Sequence, residues 1–116
     1  MTDCIFCRIA SRDVSAKEVY RDDDAIAIED LSPQAPVHLL VMPVKHYGTI
    51  AEAAGGDSSD KMISARLIEI ASRLGEERAG RRGYRLVINT GSDGGQTVAH
   101  VHVHVLAGRP MGWPPG

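Results

Sequence analysis

This sequence has no stretch long and apolar enough for a signal peptide or a membrane span: the opening MTDCIFCRIASRD meets Asp3 early and charged residues from Arg8 onward. The protein is therefore expected in the cytoplasm, without a membrane partner. An excess of one charge is missing too. Thirteen basic residues stand against fifteen acidic ones, a formal net charge of −2. Apart from a local cluster at Arg78, Arg81, Arg82 and Arg85 the bases are scattered, so the long electrostatic footprint of a nucleic-acid binder is absent. Cysteine is scarce, with only Cys4 and Cys7. Under reducing conditions two cysteines three apart seldom form a structural disulfide, which leaves metal ligands, a redox pair or buried thiols. No internal repeat or disordered tract is visible.

What is present suits one domain over residues 1–116, with an N-terminal segment at 1–14 carrying the CxxC and a tail at 107–116; the 43% hydrophobic and 24% charged composition is ordinary for a globular chain. Residues 17–20 and 25–29 flank the acidic connection Arg21-Asp22-Asp23-Asp24 and read as a hairpin. After LSPQAP, the β-branched and apolar run at 37–42 reads as a central strand closed by Pro43. Beyond Gly55-Gly56, any of Asp57, Ser58 or Ser59 can cap a helix in which Ile63, Leu67, Ile70, Ala71 and Leu74 recur at helical steps, with Gly75 and Gly80 as rival exits. Residues 84–89 and 99–106 are further strands around the glycine-rich TGSDGGQT. The pattern predicts an α+β domain: a five-stranded antiparallel sheet with one main helix plus a short helix.

The segment AHVHVHVL at residues 99–106 alternates three histidines with three valines. On a strand, His100, His102 and His104 share one face about 7 Å apart while the valines point into the core. One such histidine is an ordinary half-exposed strand residue; three in register suggest a phosphate site. Imidazole is suited to attack on phosphorus near neutral pH, one ring nitrogen acting as nucleophile while a hydrogen bond at the other fixes the tautomer. His102 is the central candidate. The GSDGGQT loop can bring backbone N–H groups and the Thr97 hydroxyl toward the same strand end, glycines letting the backbone approach an anion. On their own, Asp30 ahead of Leu31-Ser32-Pro33 reads as a turn organiser and His38 as an outward strand residue.

His-x-His-x-His followed by two apolar residues, matched by His100 through Leu106, resembles the histidine triad (HIT) family. EDLSPQAPVHLLVMPVKH and GYRLVINTGSDGGQTVAHVHVHVLAGRPMGWPPG resemble its Hint branch in order and spacing. The resemblance implies a HIT-like fold and a purine nucleoside phosphoramidase. His102 is then the nucleophile of a nucleotidyl-histidine intermediate, with His104 and His38 as further catalytic histidines. Asn89, Gly95, Gln96, Thr97 and His104 fall around the nucleotide's phosphate, Asp30 at the ribose hydroxyls, and Phe6 and Ile28 beside the base. Thr97 stands where serine is usual and keeps the hydroxyl. Ile28 and Glu29 replace an aromatic residue and a histidine, a departure that bears on base preference. A dinucleoside polyphosphate hydrolase or transferase, or a nucleotide-binding regulatory protein with residual activity, are the competing readings. His104 argues against the uridylyltransferase branch, where glutamine usually takes that place.

Cys4-Ile5-Phe6-Cys7 has the two-residue gap of many zinc sites, and His46 and His100 can complete a Cys2His2 tetrahedron, an arrangement that CxxC-bearing relatives resemble. A redox role fits less well, because no βαβ pattern surrounds the pair and Cys7 is not at an evident helix N-terminus. Zinc, if bound, is structural and not needed for the chemistry. The expected partners are a purine nucleotide of AMP or GMP type and a second copy of the chain. Trp113 gives that copy a physical pretext, as a large apolar group on an unstructured tail.

Overall fold

The computed structural model describes residues 4–116; the first three residues of the expected N-terminal segment lie outside the described residues. Five strands, β1 (Glu18–Arg21), β2 (Ala25–Glu29), β3 (Val37–Pro43), β4 (Tyr84–Val87) and β5 (Val103–Ala107), form one antiparallel sheet in the order β1-β2-β3-β5-β4. The helices are α1 (Ile5–Ala10), α2 (Ile50–Ala54) and α3 (Ser58–Ala79), the last followed by a 3-10 turn at Gly80–Arg82. The α+β prediction holds, with two short helices beside the main one.

The alternation in AIAIE explains how the layers stack. Ala25 and Ala27 face α3, where small side chains let Leu67, Ile70, Ala71 and Leu74 pack closely, while Ile26 and Ile28 face Phe6 and Ile9 of α1. The expected hairpin is closed by Asp22, whose Oδ1 accepts from the amides of Asp24 and Ala25 at 2.8 Å each. Asp57 is the cap of α3, in a reciprocal capping box with Asp60.

The rival exits of α3 are resolved in favour of Gly80. Gly75 is buried inside the helix because a Cβ there would lie 2.5 Å from the Tyr84 ring. Helix α3 thus crosses β4 at a position where only glycine fits. Strand β5 is shorter at its start than the alternation predicted. The ladder to β3 begins at Val41↔Val103, and upstream of it the amide of Val101 donates to the Tyr47 carbonyl at 2.7 Å, drawing the chain toward the loop after β3. Strand β4 likewise ends at Val87, two residues before Asn89.

Gly75→Ala gains helix propensity but drives a methyl into an aromatic ring, so it is expected to destabilise the protein by about 1–2 kcal/mol in urea titration. Stabilisation would contradict the packing described.

Candidate active site

The shortened β5 corrects the picture of three imidazoles in one row. Only His104 stands on the strand; His100 and His102 precede it, and both are buried, at 0% and 6% exposure. Their two rings also have separate tasks. His100 turns away from the other triad members toward the cysteines, and His102 lies between it and His104.

Three of the rings are fixed by a backbone group, which settles where the proton sits. A carbonyl can only accept, so His102 Nδ1, 2.8 Å from the His100 oxygen, carries the hydrogen and leaves the Nε2 lone pair free. His100 Nε2 likewise donates to the Pro43 carbonyl at 2.9 Å, leaving Nδ1 as a donor atom for a metal. His38 is set in the opposite sense. The Gln34 amide donates to its Nδ1 at 3.0 Å, so Nε2–H donates to His104 Nδ1 at 2.8 Å, and His104 in turn presents an Nε2–H. A lone pair on His102 and a donor on His104 therefore stand side by side, their ring centroids 5.0 Å apart.

Asp30 organises the turn and also reaches the histidines. Oδ1 accepts from the Ser32 amide at 2.7 Å, organising the turn, while Oδ2 lies 3.5 Å from His38 Nε2. Burial lowers the pKa of His38 against the opposing pull of Asp30. His104 is pushed down to about 4, mainly by burial, with His102 and His38 adding to it. Both rings are thus neutral in the native state near neutral pH.

Phe6 meets the His102 ring edge-on, centroids 5.1 Å apart, and also lines an apolar cavity of about 270 Å³ with Ile9, Ile28, Leu40 and Val98, bordered by Asp30. Phe6, Ile28 and Asp30 are thus brought together beside His102.

The glycine-rich loop departs from expectation. Three of its amides are committed internally: Gly95 to the Ser92 carbonyl, Gln96 to the Gly91 carbonyl and Gly91 to Gln96 Oε1. Gln96 Nε2 donates to the carbonyls of Gly48 (2.7 Å) and Val98 (3.0 Å). Its amide holds the loop against the chain after β3. Gly95 has φ +83°, a left-handed turn that suits glycine. Thr97 is exposed and Asn89 half-buried; among the described residues no hydrogen bond joins either to the imidazoles.

The remaining groups converge as anticipated. Donor atoms of Cys4, Cys7, His46 and His100 all lie within 4.8 Å of one another. Cys4 Sγ and Cys7 Sγ are 3.2 and 3.5 Å from His100 Nδ1, Cys7 Sγ is 3.2 Å from His46 Nδ1, and the two Nδ1 atoms are 3.1 Å apart. A tetrahedral ion about 2.3 Å from sulfur and 2.0–2.1 Å from nitrogen needs donors at roughly this spacing, so two thiols and two imidazoles fit zinc. One sequence reading is overturned here. Cys4 is the N-cap of α1 and Cys7 lies in its first turn, a helix of 6 residues too short for periodicity to reveal.

A sequence model of the HIT domain matches residues 11–111. The chain belongs to the HIT domain family. It is 41% identical over 114 residues to an uncharacterized HIT-like protein of Synechococcus elongatus, covering 98% of this chain and 97% of that one. The crystal structure of a HIT family hydrolase from Legionella pneumophila Philadelphia 1 is similar at TM-score 0.90 and 43% identity, covering 98% of this chain and all of that one (100%). A hypothetical histidine triad nucleotide-binding protein from Sulfolobus tokodaii matches at TM-score 0.75 and 33% identity, covering 90% of this HIT chain and 68% of that one. Among the described residues no helix is long and apolar enough to cross a membrane.

The groups sequence reasoning missed are all main-chain: the carbonyls of His100 and Pro43 and the amide of Gln34. No residue-type signal marks them.

The depressed values predict a pH effect with a definite sign. The unfolded chain binds these protons near pH 6.5, whereas native His104 binds its proton at about 4, so between those values the unfolded state holds more protons. Stability is full above about pH 6.5 and falls as pH drops toward 4. Thermal melts across this window should show the fall, and His104→Asn should flatten part of it. An unchanged slope would refute the assignment.

Proposed function

We propose that this HIT protein is a nucleotide hydrolase of the Hint kind, cleaving purine nucleoside 5′-phosphoramidates through a covalent nucleotidyl-histidine. The observation that carries this reading is the tautomer of His102: its Nδ1–H is held by the His100 carbonyl, so Nε2 is a free lone pair beside the donor His104. The apolar cavity at Phe6 and Ile28 would take the base and Asp30 the ribose hydroxyls. His102 Nε2 attacks the α-phosphorus, the bond from phosphorus to the amine nitrogen breaks, and the amine leaves with a proton taken from solvent, which the hydrolysis step returns. Water then cleaves the bond between phosphorus and His102, releasing the nucleoside monophosphate. The Nε2–H of His104 faces developing charge on the phosphoryl oxygens, and His38 keeps that ring oriented. That the similar Legionella protein is a HIT family hydrolase and the Sulfolobus one a hypothetical nucleotide-binding protein supports the same class.

In this reading Cys4, Cys7, His46 and His100 hold a structural zinc ion, which supplies a crosslink between α1, the loop after β3 and the approach to β5. The same His100 whose Nδ1 faces the cysteines offers its carbonyl to His102, so the metal cluster and the nucleophile share one residue. A homodimer fits β4, an edge strand paired only to β5, and Trp113, which is 84% exposed.

Adenosine and guanosine phosphoramidates and diadenosine polyphosphates form the kinetic panel. His102→Gly should lower turnover of the adenosine phosphoramidate by about 1000-fold or more while AMP binding persists; unchanged turnover would overturn the mechanism. A separate expectation concerns the metal. Elemental analysis should find about one zinc per chain, and Cys7→Ala should lose it and lower Tm. Metal-free protein with wild-type Tm would contradict the site.

A further inference from the structure

The CxxC turn takes part in two sites at once. Its sulfurs meet His46 and His100, whereas the two residues between them, Ile5 and Phe6, line the apolar cavity beside His102. Phe6 meets the rings of both His100 and His102 edge-on, with centroids 5.7 and 5.1 Å away. A change in the spacing of Cys4 and Cys7 therefore displaces side chains that touch His102 and shape the cavity.

The donor cluster is also open on one side. His100 is fully buried, Cys4 and Cys7 are half-buried, and His46 is exposed. A further cavity, of about 470 Å³, reaches the cluster at Cys4 and His46 and is completed by Ile5, Thr97, Val98 and Ala99. That volume admits a small organic molecule to the Cys4 sulfur. The two sulfurs lie within 4.8 Å of one another, and the Cys7 amide donates to Cys4 Sγ at 3.4 Å. Two thiols so placed in one turn of a CxxC are within reach of a shared bond after side-chain rotation. Joining them takes both sulfurs out of the donor set and leaves only two imidazoles to hold a metal ion.

We propose that Cys4 and Cys7 are a reversible oxidation site: a low-molecular-weight disulfide converts them to a Cys4–Cys7 disulfide, which releases the metal ion and distorts the neighbouring cavity through Phe6. The effect on nucleotide binding rests on the reading of that cavity as the base site; the oxidation does not. Cys4 Sγ, which lines the open cavity, attacks one sulfur of the small disulfide, whose S–S bond breaks and expels a thiolate. Cys7 Sγ then attacks Cys4 Sγ, expelling the second thiolate and closing the intramolecular bond. Two electrons pass from the pair to the small disulfide, and its two thiolates take up protons from solvent.

The test treats zinc-loaded protein with glutathione disulfide and follows mass, metal and AMP binding in parallel. Intact mass should fall by about 2 Da with no glutathione retained. About one zinc per chain should pass to a chromophoric chelator, and dithiothreitol with added zinc should reverse both changes. Tm should drop by about 5 °C or more, and the dissociation constant of AMP should rise about threefold or more. Cys4→Ser and Cys7→Ser should each yield only a glutathione adduct on the remaining cysteine. Stripping the zinc first separates metal loss from disulfide formation: oxidised metal-free protein should bind AMP more weakly than reduced metal-free protein. Wild type that keeps both thiols, or that stops at glutathione adducts, overturns the oxidation site. Equal AMP affinity in the two metal-free forms overturns the coupling through Phe6. If the reduced zinc-loaded protein binds no AMP at all, the nucleotide reading fails, and mass and zinc release still decide the cysteine pair.

Discussion

An imidazole is an ambiguous group until something decides which nitrogen carries the proton, and in this protein the main chain decides. The His100 carbonyl accepts from His102, the Pro43 carbonyl accepts from His100, and the Gln34 amide donates to His38. From these three bonds the chemical character of the cluster follows: a free Nε2 lone pair at His102, an Nδ1 lone pair facing the cysteines at His100 and a hydrogen-bond donor at His104. Side-chain tautomers held by backbone cost nothing to reorganise during reaction, which is the condition for preorganised catalysis.

The fold exists to hold those backbone groups in place. Pro43 ends the central strand and so leaves its carbonyl to His100. Gln34 sits in the connection before β3, ahead of His38 on that strand. The two layers of core on either side of the sheet, α3 against the alanines of β2 and α1 against its isoleucines, fix the strands from which these groups project. The loop after β3 is tied down by the Val101 amide on the Tyr47 carbonyl and by Tyr47 and Lys45 on Asp60 at the start of α3. His46, between those two residues, is thereby delivered to the cysteines.

Much of this was legible in the residues because binary patterns report it directly. The valine alternation gave the core face around β5, the Asp57-Ser58-Ser59 run the start of the main helix, and the CxxC with His46 and His100 the convergent donor set. Three features were hidden, each for a physical reason. The row of histidines looked like one strand face because alternation says which side a residue points to, not where a ladder ends; the Val101–Tyr47 bond ended it. Helix α1 is too short to show a period. Gln96 reads as a ligand contact in a glycine-rich loop, yet its amide is committed to neighbouring carbonyls, a fact only the folded loop displays.

The most direct check of the account is the protonation of the imidazole nitrogens themselves. Nitrogen NMR of histidine-labelled protein near neutral pH should show His102 protonated on Nδ1 and unprotonated on Nε2, with His38 and His104 of the opposite tautomer. A spectrum showing His102 protonated on Nε2 instead would contradict it.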